Sequence, residues 1–141
     1  VGSFLREYNL PCFVYGTLEN PVTARNMSEY ITFIKRVHSG DTILSVDASL
    51  GKRERIGKIA VRTDGVCPAG IKGEKKRFGD VGVLGVVGDK DTDHMSALLT
   101  ANTDKVSKMA DKVAVMIKDA IESILNCTTK TQPKSSEIIF E

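Results

Sequence analysis

Residues 42–49 read Thr42-Ile43-Leu44-Ser45-Val46-Asp47-Ala48-Ser49, and the fold turns on this stretch. Thr42 to Val46 is apolar and β-branched, is preceded by the turn residues Ser39-Gly40-Asp41, and runs into a carboxylate. That pattern predicts a buried strand ending at Asp47. Working upstream, Met27, Tyr30, Ile31, Ile34 and Val37 lie at helical spacing, so residues 22–37 form a helix that Pro21 opens and Ser39-Gly40-Asp41 stops. Pro11 to Tyr15 is a shorter apolar run closed by Gly16 and reads as another buried strand. Val1, Phe4, Leu5 and Tyr8 again recur at helical spacing and read as the second half of a helix whose beginning is expected upstream.

Downstream the pattern changes. Ile56 to Thr63 alternates apolar and polar residues, as a half-exposed and antiparallel edge strand does. Asp64 to Phe78 is rich in turn residues and charges and reads as a long loop, of the length that often carries function. Val81 to Val87 is a third buried strand, and the recurrence of Gly79, Gly82, Gly85 and Gly88 there points to close backbone packing. A long helix from about Met95 to Leu125 presents Met109, Val113, Ile117 and Ile121 on one stripe. Strands alternating with helices predict a three-layer α/β/α domain with a twisted, mostly parallel sheet over residues 1–126. Residues 127–141 form a polar tail, with one apolar patch at Ile138 to Phe140 that hints at a homo-oligomer.

Composition narrows the partners. Of 141 residues, 41% are hydrophobic and 27% charged, the balance of one ordinary globular domain. A formal charge of +2 is too small to imply binding to nucleic acid or to a membrane surface. The basic cluster Lys72, Lys75, Lys76 and Arg77 reads as a solvated loop. Cys12, Cys67 and Cys127 form no C-x-x-C pair and fit no zinc spacing; Cys12 reads as core and Cys67 as an exposed loop residue. Dinucleotide, P-loop and G-x-S-x-G motifs are absent.

Ligands of open α/β sheets bind beyond the carboxyl ends of the parallel strands. That rule nominates Glu19, Asp47, Asp93 and His94 as residues of one sheet edge. Asp47 interrupts a buried run, and a carboxylate there is hydrogen-bonded, paired or functional. A turn-capping role through Ser49 and a role as general base or metal ligand both fit it. Two carboxylates sharing one proton activate water, which makes Glu19 the candidate second acid. His94 with Asp47 and Glu19 would suit a divalent metal. His38, at a helix C-terminus, is favourable there without any further role.

Taken together these segments resemble a family. Tyr15-Gly16-Thr17-Leu18-Glu19-Asn20-Pro21-Val22 and Ser45-Val46-Asp47-Ala48-Ser49-Leu50-Gly51 are similar to two motifs of the YyaC-like sporulation proteins. Ala69-Gly70-Ile71-Lys72, Phe78-Gly79-Asp80-Val81 and Asn102-Thr103 resemble others, over Val1 to about Leu125. The resemblance implies a fold related to the germination protease and to hydrogenase maturation proteases. It implies an aspartate dyad whose second member looks like Asp47, and a first acid on a strand and loop ahead of Val1. Asp47 also resembles the metal-holding aspartate of the hydrogenase relatives. Thr17, Ser49 and Asp80, which lie in these motifs, are expected to line the substrate site.

The function expected is a sporulation-associated peptidase acting on a protein or peptide, in the cytoplasm of a forespore or mother cell. The alternative is a non-catalytic binding or regulatory protein that keeps the protease fold.

Overall fold

β-Branched and small residues at Leu44–Gly51, Ile59–Arg62 and Val81–Asp89 form the strands β1, β2 and β3. The helices are α1 (Gly2–Glu7), α2 (Met27–Val37) and α3 (Thr103–Lys130), with a short 3-10 turn at Arg53–Arg55. The computed structural model describes residues 1–68, 77–93, 96 and 101–130. The basic cluster Lys72, Lys75 and Lys76, the Ala69 to Lys72 motif and the Ile138 to Phe140 patch lie outside them.

The sheet is open and mixed, in the order β1-β3-β2. β1 runs parallel to β3, pairing Val46 with Val83 and Asp47 with Leu84. β2 runs antiparallel to β3, pairing Ala60 with Leu84. The alternating segment is therefore an antiparallel edge strand, as its pattern predicts, and among the described residues the sheet has one parallel and one antiparallel ladder rather than a mostly parallel set.

Strand residues paired across a ladder share a face, and successive residues alternate. Val83 faces the helices: it is buried with Leu5 of α1 and with Val113, Ala114 and Ile117 of α3. Val1, Phe4, Tyr8 and Ile121 pack around that core, so the helical stripes at both ends of the chain meet on one side of the sheet. Gly85 lets α3 approach; a Cβ there would stand 2.6 Å from Met109 Sδ. On the opposite face the backbone of Gly65 lies against Gly82, leaving no room for a side chain. Gly82 and Gly85 of β3 thus serve close packing.

Four expectations need correction. Pro11 to Tyr15 is not a strand: Cys12 donates to Leu10 and Thr17 to Asn20, both local bonds, and no ladder partner lies alongside among the described residues. Phe13 is 77% exposed and Cys12 is exposed rather than core, because that segment passes over the surface. α2 begins at Met27 instead of Val22, since Asn26 Oδ1 accepts the Thr23 N–H at 2.7 Å and its amide donates to the Pro21 carbonyl, folding residues 21–26 into a turn. α3 begins at Thr103, where Asn102 Oδ1 accepts the Lys105 N–H, and it continues past Leu125 to Lys130.

Candidate functional site

Asp47 does not end its strand. β1 continues to Gly51, so Asp47 lies near its middle, on the face shared with Ser45 and Ser49 and turned away from the helices. The alternation Ser45, Asp47, Ser49 against Leu44, Val46, Ala48 is the two-residue period of a strand. The polar set is half-buried to buried, whereas Leu44 and Val46 are 42% and 37% exposed.

The three polar side chains are used differently. Ser45 Oγ donates to the Phe78 carbonyl at 2.7 Å and lies 3.2 Å from that of Val81, which ties β1 to the segment entering β3. Ser49 Oγ reaches the Gly85 carbonyl at 3.5 Å, a long contact that leaves the hydroxyl weakly held. Asp47 Oδ1 accepts the N–H of the next residue, Ala48, at 2.9 Å. Among the described residues no cation and no second carboxyl is bonded to it. Burial pushes the Asp47 carboxyl above its ordinary range, and the Ala48 hydrogen bond offsets part of that rise. A carboxylate raised by burial is a stronger base than an exposed one, the property a general base needs.

Glu19 follows an extended segment instead of a strand and is exposed. Thr17 is buried and holds the turn that carries Glu19: its Oγ1 accepts the Asn20 N–H at 3.1 Å, and its own N–H donates to the Asn20 carbonyl. No hydrogen bond joins Glu19 to Asp47. Asp80 sits at the opposite end of the ladder from the carboxyl ends, where Oδ2 accepts the Ile43 N–H at 2.8 Å. Asp93 Oδ2 accepts from the backbone and hydroxyl of Ser96, both at 3.0 Å. His94 lies outside the described residues. Among the described residues no three His, Cys, Asp or Glu side chains converge as a metal-binding group.

Two charged groupings were not legible as such in the sequence. At the carboxyl end of the ladder Asp89, 18% exposed, faces the Arg53 guanidinium at 3.5 Å. Below α2, His38 is buried between Tyr15 and Asp41, with Nε2 2.8 Å from the Tyr15 hydroxyl and Nδ1 2.8 Å from Asp41 Oδ2. The aromatic residues on α2, Tyr30 and Phe33, pack edge-on to Tyr15. The Ser39-Gly40-Asp41 stop signal hinted at the Asp41 contact; nothing local hinted at Tyr15.

Among the described residues no helix is long and apolar enough to cross a membrane.

Comparison with known proteins gives a family. The sequence profile of the family described as "Protein of unknown function (DUF1256)" matches residues 1–116. The "Uncharacterized protein YyaC" of Bacillus subtilis (strain 168) is 31% identical over 116 residues, a match covering 81% of this chain and 57% of that protein. The chain thus spans little more than half the length of that relative. No solved structure matches significantly.

Proposed function

This chain belongs to the DUF1256 family, and on that premise we propose that it is a sporulation-associated peptidase whose reactive group is Asp47. The observation that carries the reading is the half-buried Asp47 carboxyl, raised by burial and bonded only to its neighbour's N–H among the described residues. Structural carboxylates are usually paired or capped by several donors; this one keeps an oxygen for a water.

In the proposed reaction Asp47 takes a proton from water as the water oxygen attacks the scissile carbonyl carbon. A second acid protonates the leaving amine, so the peptide C–N bond breaks with no net change in the protons held by the pair. The candidates for that acid are Glu19 and the acid that the resemblance to the germination protease implies ahead of Val1. Ser49, whose hydroxyl is weakly held, is placed to bind the substrate backbone beside Asp47. Thr17 and Asp80 act through the architecture, one shaping the Glu19 turn and the other fixing the start of β1. The described carboxylates do not form a metal-binding set, and no step here runs through a metal. The three-layer protease-type architecture and a cytoplasmic place in the forespore or mother cell belong to the same proposal.

A second reading has its own support. No carboxyl lies within hydrogen-bonding distance of Asp47 among the described residues, which fits a binding or regulatory protein on a protease fold.

Incubation with small acid-soluble spore proteins, with and without the segment expected ahead of Val1 and read by intact mass, separates the two. Cleavage that disappears in a folded Asp47→Asn protein supports the peptidase. Undiminished cleavage by Asp47→Asn removes Asp47 from the chemistry, and absence of cleavage by both folded forms favours the binding protein.

A further inference from the structure

The strongest titratable cluster outside the Asp47 face is the chain Asp41–His38–Tyr15. His38 is 8% exposed and bonded at both ring nitrogens, to Asp41 Oδ2 at 2.8 Å and to the Tyr15 hydroxyl at 2.8 Å. An ionised carboxylate only accepts hydrogen bonds, so in neutral His38 the proton sits on Nδ1. Nε2 is then an acceptor aimed at the phenol O–H. A hydroxyl nucleophile, a base within hydrogen-bond reach and a third group orienting the base is the arrangement that activates oxygen nucleophiles on unrelated folds.

Two further observations support a reactive phenol. The ring is positioned: Tyr30 and Phe33 pack edge-on to Tyr15 with centroids at 6.2 and 6.0 Å, and Phe13 tilts against His38 at 4.8 Å. Tyr15 is also half-buried rather than buried, and it is one of the residues lining a cleft of about 320 Å³ between α1 and the segment that follows it. Arg6 and Asn9 line the same cleft and carry hydrogen-bond donors. Arg6 is its single cation among the described residues, too little positive charge for a phosphoryl group, which needs several cationic ligands. An uncharged acyl ester fits better.

We propose that Tyr15 is a second, covalent site, a phenol nucleophile that accepts an acyl group from an activated ester. The phenol oxygen attacks the ester carbonyl carbon while its proton passes to His38 Nε2. The ester C–O bond then breaks, and the leaving alkoxide takes that proton from His38. The products are the Tyr15 acyl ester and a free alcohol. Asp41 is a positioning residue, holding the imidazole in the tautomer that can receive the proton.

p-Nitrophenyl acetate is the probe, and acetylation of each tyrosine is followed by peptide mass spectrometry in a Cys12→Ser background that removes the thiol from the cleft. Tyr8 and Tyr30, the other tyrosines of the chain, are internal standards in the same folded molecule. Tyr15 acetylated at least tenfold faster than both supports the proposal; a smaller advantage overturns it. His38→Gln lowers the Tyr15 rate at least tenfold, and a smaller drop likewise overturns it. Asp41→Asn lowers the saturating rate and leaves the half-saturating probe concentration in place, which loss of a merely structural contact would not do. The comparison among tyrosines of the unaltered protein stands even where a variant fails to fold.

Discussion

The Asp80 carboxylate accepts the Ile43 N–H at 2.8 Å, while the N–H groups of Asp80 and Val81 both donate to the Ile43 carbonyl. One residue ahead of β1 is thus clasped by Asp80, just ahead of β3, and by Val81, its first residue. Because the clasp is exposed, its loss is modest: Asp80→Ala is expected to lower unfolding stability by about 1 kcal/mol, and Asp80→Asn, which keeps an acceptor, by less. Urea unfolding of the three proteins checks the order.

Gly65 and Gly82 cross backbone to backbone, and Gly65 also holds φ at +70°. Alanine at either position forces main chain against main chain, so Gly65→Ala and Gly82→Ala are each expected to cost about 2 kcal/mol or more. Gly40 has nothing within 4 Å of its Cβ position, and Gly40→Ala should stay within about 0.5 kcal/mol of the parent. Thermal melts of the three variants separate close crossing from mere glycine content.

Asp47 titrates in a direction that makes stability fall as pH rises. Its carboxyl is raised above 3.8 by burial, so between the unfolded and folded pKa values the native state holds the extra proton. Its favourable contribution is full below the unfolded value and is lost as pH climbs through the folded one. Asp47→Asn should therefore be more stable than the parent at neutral pH, with that gain shrinking towards pH 3.8. Urea midpoints measured across that window test the sign, independently of any hydrolysis.

Asn102 caps α3 through the Lys105 N–H at 3.0 Å. Asn102→Ala is expected to cost about 1 kcal/mol, and Asn102→Asp to restore most of it, since either oxygen accepts the same bond. Helicity followed at 222 nm through the melt is the readout.

Periodicity made the packed elements readable. Val1, Phe4, Leu5 and Tyr8 at one end, and Val113, Ile117 and Ile121 at the other, describe stripes that meet over Val83. Pro11 to Tyr15 misled because an apolar run says nothing about whether another strand lies beside it, and a strand exists only with a ladder partner. A carboxylate closing an apolar run reads as a strand end, yet the alternation of Asp47 with Ser45 and Ser49 puts it mid-strand on a polar face. His38 looked self-sufficient at a helix end; its partner Tyr15 is 23 residues away, beyond any local signal.

The clasp between Ile43 and Asp80 joins residues 37 apart in the chain. Parallel pairing cannot begin from a tight turn, so β1 must wait in solution until the intervening chain closes upon itself. Its serines find no carbonyls, and Leu44 and Val46 no neighbours, until β3 arrives. β2 and β3, closer in sequence, are expected to pair first, with the strand bearing Asp47 joining later. Slow refolding from dilute denaturant, with losses to intermolecular strand pairing that grow with protein concentration, follows from that topology.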